Sequence, residues 1–300
     1  MFFMTKRQFF HRRILFAAMM FLVVCFAAFF FQWIYTPIIT NYGGPDFNTQ
    51  HVTAALFRWH QICAAFQLDK WMMTLVNLPF PLLPLMPVIF SYNFIKEKAG
   101  YYLHAYTRVG DYRRYMWKSI GLHALLSGVY YYVTYLLFLG IGMILSKTVF
   151  YDNTYYGMMD RKETYSAWSI YPNYYTKSFL ANLLGKYFFN QHPIEFYLLF
   201  GFVSTFIFGI IYSLFAISVS FLSDKNYLSV LIPYGYFIFG SVLFGLLLNQ
   251  MLFFAPMSTF GGLSFSSQPT FYTILPMIFP LIFALVVIIV KINRGDRLGV

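Results

Sequence analysis

The chain has 300 residues, 59% of them hydrophobic and 10% charged, against about 45–50% and about 25% in ordinary soluble domains. With 23% aromatic residues, 38 Phe among them, a water-exposed surface of the usual kind is excluded, because that much apolar area self-associates. The formal net charge of +11 suggests nucleic acid at first, but the Lys and Arg residues stand beside apolar runs and form no separate polar domain, so the charge points to a lipid bilayer and not to nucleic acid.

A helix needs roughly 20 apolar residues to cross a hydrocarbon core of about 30 Å. In chain order, residues 1–13 set Phe2, Phe3, Phe9 and Phe10 beside Lys6, Arg7, Arg12 and Arg13, a mixture that any membrane anchor could carry. The first window free of Asp, Glu, Lys and Arg is 14–45. Its apolar stretch is too long for a signal-peptide core and no small-residue cleavage site follows, so it reads as a retained anchor over 14–35. Further charge-free windows at 71–95, 119–146 and 196–223 predict spans over 72–95, 119–146 and 196–222. The last window, 226–290, is too long for one helix and predicts two, at 227–249 and 271–290. Its link, 249–268, is uncharged and broken by Pro256, Gly261 and Gly262; such backbone suits a re-entrant element buried against protein, since lipid cannot satisfy its amides.

The expected fold is therefore all-α, a single transmembrane domain over 1–300 with six membrane-spanning helices. Orientation follows from the excess of Lys and Arg in cytoplasmic loops. With both termini inside, the inner segments hold Lys6, Arg7, Arg12, Arg13, Lys96, Lys98, Arg108, Arg113, Arg114, Lys118, Lys225, Lys291, Arg294 and Arg297. The outer segments 36–70 and 147–195 hold the remainder, spread over much more polar chain rich in Tyr, Asn and Gly. Cys25 lies in the first apolar run and Cys63 in the polar segment after it, which implies no disulfide framework and no paired-cysteine metal site.

The inner segment 96–118 reads KEKAGYYLHAYTRVGDYRRYMWK. Helical spacing of Glu97, Tyr101 and His104 or Ala105 predicts a short amphipathic helix along the inner surface. Gly110 followed by Asp111 reads as a helix stop and a new cap, leading through Tyr112–Lys118 into the third span. The plain alternative is a basic interfacial loop that merely obeys the charge rule.

On these residues the chain resembles the permeases of type 2 ABC exporters of bacteria. The residues that carry the resemblance are Glu97-Lys98-Ala99-Gly100, Thr107-Arg108-Val109, and Tyr112, Arg114, Tyr115 and Lys118 entering the third span. The likeness extends to the topology of six spans, an N-terminal interfacial segment and a re-entrant hairpin before the last span. It implies that Glu97, Gly100, Tyr101, Thr107, Arg108 and Val109 form a coupling helix seated on a separate ATPase subunit. It further implies a second permease subunit, identical or related, a pathway enclosed by the dimer, and a bacterial plasma membrane. The two large outer segments depart from the best-known drug and polysaccharide exporters and leave the cargo open. The chain carries no GxxxxGK[ST] motif, so ATP and Mg belong to the partner and no cofactor is expected on this chain.

Other chemistry finds little support in the sequence. His51 and His60 with Asp46 or Asp69 lack any HxxxH or HExxH pattern, and no metal is expected. No GxSxG occurs, and His192 with Glu163 and Glu195 is the only outer group that an enzyme reading could use. An ion-coupled secondary transporter needs titratable groups at mid-depth, and His123 is the one candidate inside a span. Pro79 and Pro84, in the run that also holds Pro81 and Pro87, mark the second span as kinked and as a possible wall of a pathway.

Overall fold

Helix is the only regular structure among the residues that the computed structural model describes, which are 12–35, 66, 68, 71, 74, 85–98, 112–146, 193–223, 225–248 and 270–294. The expected interfacial helix before residue 12, most of the outer segments 36–70 and 147–195, and the expected re-entrant link at 249–268 lie outside these residues. Helix α1 is Arg12–Phe29 and continues as a wider π-helical turn, Phe30–Tyr35. Helix α2 is Leu85–Lys98 and α3 is Tyr112–Leu145. Helix α4, Pro193–Gly201, passes through a second π-helical turn, Phe202–Ile207, into α5, Phe208–Leu222. Helices α6, Leu228–Leu248, and α7, Thr270–Arg294, complete the set.

Two of these stretches, Arg113–Leu145 and Thr205–Leu222, are long and apolar enough to cross a membrane. Shorter apolar stretches run over Leu15–Phe29, Leu228–Phe237 and Met277–Asn293. Their ends follow local chemistry. Helix α5 stops where Ser223 turns extended (φ −140°, ψ 140°), and the Ser223 Oγ accepts the Lys225 N–H at 3.2 Å. The Lys225 carbonyl then accepts the Leu228 N–H at 3.0 Å, which starts α6. At the other extreme of the chain, an Arg113 Nη donates to the Asn293 carbonyl at 2.9 Å, so a cation from the start of α3 closes the last turn of α7.

Ring contacts set the helix directions. Phe21 meets Tyr131 and Phe26 meets Phe138, so α1 and α3 run parallel. Phe94 touches both His123 and Phe221, while Ser127 lies against the carbonyls of Pro87 and Gly209; α2 and α5 run together, and both oppose α3. Helix α6 opposes α5, with Phe237 on Phe208 and Val230 beside Ala216. Helix α7 follows α5, with Phe283 on Phe215 and with Ile288 and Ile292 beside Ile217 and Phe221. With α4, the π turn and α5 counted as one rod, successive helices alternate in direction.

Helix α5 is the centre of this arrangement. It packs most extensively on α7 and then on α3, α2 and α6. Nearly its whole surface is buried, from Phe208 to Phe221, as befits a helix that is apolar all round. The helices around it show the opposite pattern. On α1, Ala17, Phe21, Cys25 and Phe29 turn inward at helical spacing while Phe16, Met19, Val23 and Phe31 stay exposed. On α7, Ala284, Ile288 and Ile292 are buried while Ile282, Val286 and Ile289 are exposed. Small polar groups, among them Ser91, Ser127, Thr134, Thr205, Ser213 and Ser218, are buried between large apolar side chains such as Trp71, Phe94, Phe138 and Phe208.

Candidate functional site at the basic end and the α3–α5 crossing

The alternation of helices brings charge to one end. Every described Lys and Arg is there: Arg12 and Arg13 open α1, Lys96 and Lys98 close α2, Arg113, Arg114 and Lys118 open α3, Lys225 joins α5 to α6, and Lys291 and Arg294 close α7. Glu195 opens α4 at the opposite end. The segment singled out by sequence connects α2 to α3 at the basic end. Glu97 belongs to the last turn of α2, whereas Gly100, Tyr101, Thr107, Arg108 and Val109 lie outside the described residues. What the structure does give is the anchorage on either side. Phe94, four residues before Lys98, is fully buried with Met116 and Ile120 of α3, Ile217 and Phe221 of α5, and Ile288 and Ile292 of α7. That packed cluster touches four helices.

His123 borders the same cluster. It is buried, its ring meets the Phe94 ring edge-on at 5.1 Å, and its Nδ1 is 2.8 Å from the Ser119 carbonyl of its own helix. Those contacts fix the ring within α3. Pro79 and Pro84 lie outside the described residues. Among the described residues no group of three His, Cys, Asp or Glu is arranged to hold a metal ion.

A second constellation, not anticipated from the sequence, lies where α3 crosses the α4–α5 rod. A Cβ on Gly128 would stand 2.7 Å from the Phe206 carbonyl, and one on Gly209 would stand 3.0 Å from the Gly128 Cα. Only glycines allow this approach. Ser127 fills the adjoining junction of three helices, its hydroxyl 3.0 Å from the Pro87 carbonyl and 3.4 Å from that of Gly209. Farther along, a Cβ on Gly201 would run into the Tyr135 ring and one on Gly142 into the Trp71 ring. The Trp71 indole N–H donates to the Phe138 carbonyl at 2.8 Å, and the two rings stack.

This crossing is where the rod changes from α to π geometry. Tyr135 donates to the Tyr197 carbonyl at 2.7 Å and Tyr132 to the Leu198 carbonyl at 3.2 Å, immediately before the wide turn. The two tyrosine rings stack, 6.2 Å apart. Thr205 Oγ1 donates to the Gly201 carbonyl at 2.6 Å inside the turn. A π turn leaves carbonyls of the preceding helix without their usual partners, and side-chain hydroxyls from the neighbouring helix and from within the turn supply replacements. Gly201 and Gly209 on one helix face were the readable signal for this crossing; the π turn between them left none, because a change of period is invisible in a run that is apolar on every face.

No family model matches the chain, and comparison with curated proteins and with solved structures gives no match.

Proposed function

We propose that the chain is a six-span integral membrane protein with both ends in the cytoplasm, and that it acts as the permease subunit of an ATP-driven ABC exporter. The observation that carries the reading is the collection of all described cations at one end of an alternating bundle, the end that also presents the α2–α3 connection. Apolar outward faces on α1 and α7 agree with a lipid surround. In this reading a separate ATPase subunit docks under 97–109, with Glu97 and Arg108 as its principal contacts. Closure of the nucleotide sites moves the inner ends of α2 and α3 through the Phe94 cluster as a rigid-body step. A second permease subunit completes the pathway, and ATP with Mg stays on the partner. The π turn in the α4–α5 rod supports a moving part within the bundle, since such turns interrupt helices at functional places.

The experiment is to purify the tagged chain from its native membrane, identify co-purifying ATPases, and measure ATP turnover with and without the chain. Turnover that rises with the chain, and that is uncoupled by Glu97→Ala with Arg108→Ala while the chain still assembles in the membrane, is the expected result. Transport driven by a proton gradient alone, and lost in His123→Asn, would replace this reading with an ion-coupled transporter.

A further inference from the structure

Helix α1 packs on α2, yet the two part over a groove of about 180 Å³ whose walls include Phe16, Ala17, Met20 and Val24 of α1 and Leu85 and Ile89 of α2. Buried Ala17, the smallest of these, gives the groove its depth, while Phe16, Met20 and Ile89 stand exposed as its lips. The described walls present no polar surface. An apolar cavity of about 150 Å³ stays dry and admits hydrocarbon, so water finds no partner here and a peptide would strand its amides.

The groove has a direction. Ala17, Met20 and Val24 follow one stripe of α1, and the position one turn before Ala17 on that stripe is Arg13. From Phe16 to Val24 the helix rises about 12 Å, close to one leaflet, which is half of a hydrocarbon core of about 30 Å. Helix α2 runs the other way, so Leu85 stands at the far end while Lys96 and Lys98 close α2 beside the start of α1. The groove thus opens within a turn or so of the basic end and runs toward mid-depth. At that end the two helices contribute Arg12, Arg13, Lys96 and Lys98 against Glu97 alone. A second copy of the chain is the poorer occupant, because membrane helices approach each other over small residues and the lips of this groove are large.

We propose that the groove holds one acyl chain of an anionic phospholipid from the leaflet at the basic end, with the phosphate at the level of Arg12 and Arg13. The hydrocarbon fills the apolar slot, and the phosphate meets both the cations and the N-terminus of α1. The inference rests on the membrane reading above and is independent of coupling to an ATPase.

The test recovers the full chain from the membrane fraction, strips it in detergent, and titrates it with dioleoyl phosphatidylglycerol or dioleoyl phosphatidylcholine while intact-complex mass spectrometry counts lipids and subunits. The expected result is saturable binding of a single phosphatidylglycerol, tighter than that of phosphatidylcholine. Val24→Phe fills the groove and should weaken binding about tenfold, the worth of roughly two buried methylenes. Val23→Phe makes the same enlargement at an exposed position outside the groove and should leave binding unchanged. Ala17→Leu fills the floor and should act as Val24→Phe does; if it fails to fold, Val24→Phe at its half-buried position decides the matter. Arg12→Gln with Arg13→Gln should abolish the preference for phosphatidylglycerol. Equal binding of the two lipids by wild type overturns the proposal, as does full binding by Val24→Phe. Loss of a dimer mass in Val24→Phe with the lipid count unchanged gives the groove to a second copy and also overturns it. Recovery of the wild-type chain in the soluble fraction overturns the membrane reading and this inference together, whereas a membrane-recovered chain that binds neither lipid overturns the inference alone.

Discussion

The Tyr135 hydroxyl donates to the Tyr197 carbonyl at 2.7 Å, tying α3 to the last α-helical turn before the rod widens. Tyr135 is buried and its ring fills the space that Gly201 leaves open. Tyr135→Phe keeps the ring and removes the donor. Its expected cost is about 1 kcal/mol, the net worth of one buried hydrogen bond, read from unfolding of the purified chain in detergent. Tyr132→Phe, whose bond is longer at 3.2 Å and more exposed, should cost less. Equal costs at both positions count against the tie as the stronger contact.

The glycine crossing separates two classes of substitution. Gly128→Ala drives a methyl group against the Phe206 backbone carbonyl and should destabilise by about 1–3 kcal/mol, the range for overpacked cores. Gly121→Ala meets nothing within 4 Å on the same helix. It should be neutral or stabilise by up to about 1 kcal/mol through helix propensity. Side-by-side thermal melts decide this, and two variants of equal stability mean that the helices cross elsewhere.

Deleting Val203 should convert the π turn Phe202–Ile207 into ordinary α-helix, because the wide turn holds a residue that an α turn does not need. The chain is expected to insert and unfold cooperatively, but to lose the transport activity proposed for it above. A deletion of Leu136 in the uninterrupted helix α3 offers the contrast, since it rotates every later side chain out of register. If deletion of Val203 disrupts insertion as severely as deletion of Leu136, the turn is a structural necessity and not a hinge.

The opposite placement of Lys225 and Glu195 is open to chemical labelling. Both are exposed, Lys225 in the turn at the basic end and Glu195 at the start of α4. In a Cys63→Ser background, with Cys25 left in place because it is fully buried, Lys225→Cys should react with an impermeant maleimide only from the cytoplasmic side and Glu195→Cys only from the outside. Labelling of both from one side contradicts the alternation of helices.

Much of this fold was legible as charge-free windows. Within the window 226–290, the two helices expected at 227–249 and 271–290 coincide with α6 at Leu228–Leu248 and α7 at Thr270–Arg294. Where the bounds differ, the cause is that charge marks the edge of a hydrocarbon layer and not the end of a helix. Helix α3 begins at Tyr112, directly after the Gly110-Asp111 signal, and carries Arg113, Arg114 and Lys118 as ordinary helical residues before the apolar run. Helix α7 likewise retains Lys291 and Arg294, favourable at a helix C-terminus. Helix α5 shows what hydropathy leaves out: it reads like any other span, yet it is surrounded, because neighbour identity is set by the small residues Gly209 and Ser213 and not by mean apolarity. The proposed coupling residues came from resemblance, and of them the described backbone includes Glu97 alone.

The enclosed position of α5 bears on how the protein is made. Synthesis completes α5 before α6 and α7 exist, so on the membrane reading proposed above a helix destined for the centre first lies beside lipid. Two of its serines are suited to that interval, since Ser218 and Ser220 donate to carbonyls of their own helix. On the membrane reading proposed above, the nascent chain can therefore hold α5 in the bilayer before it is enclosed, and enclosure waits for α7, its most extensive contact among the described helices.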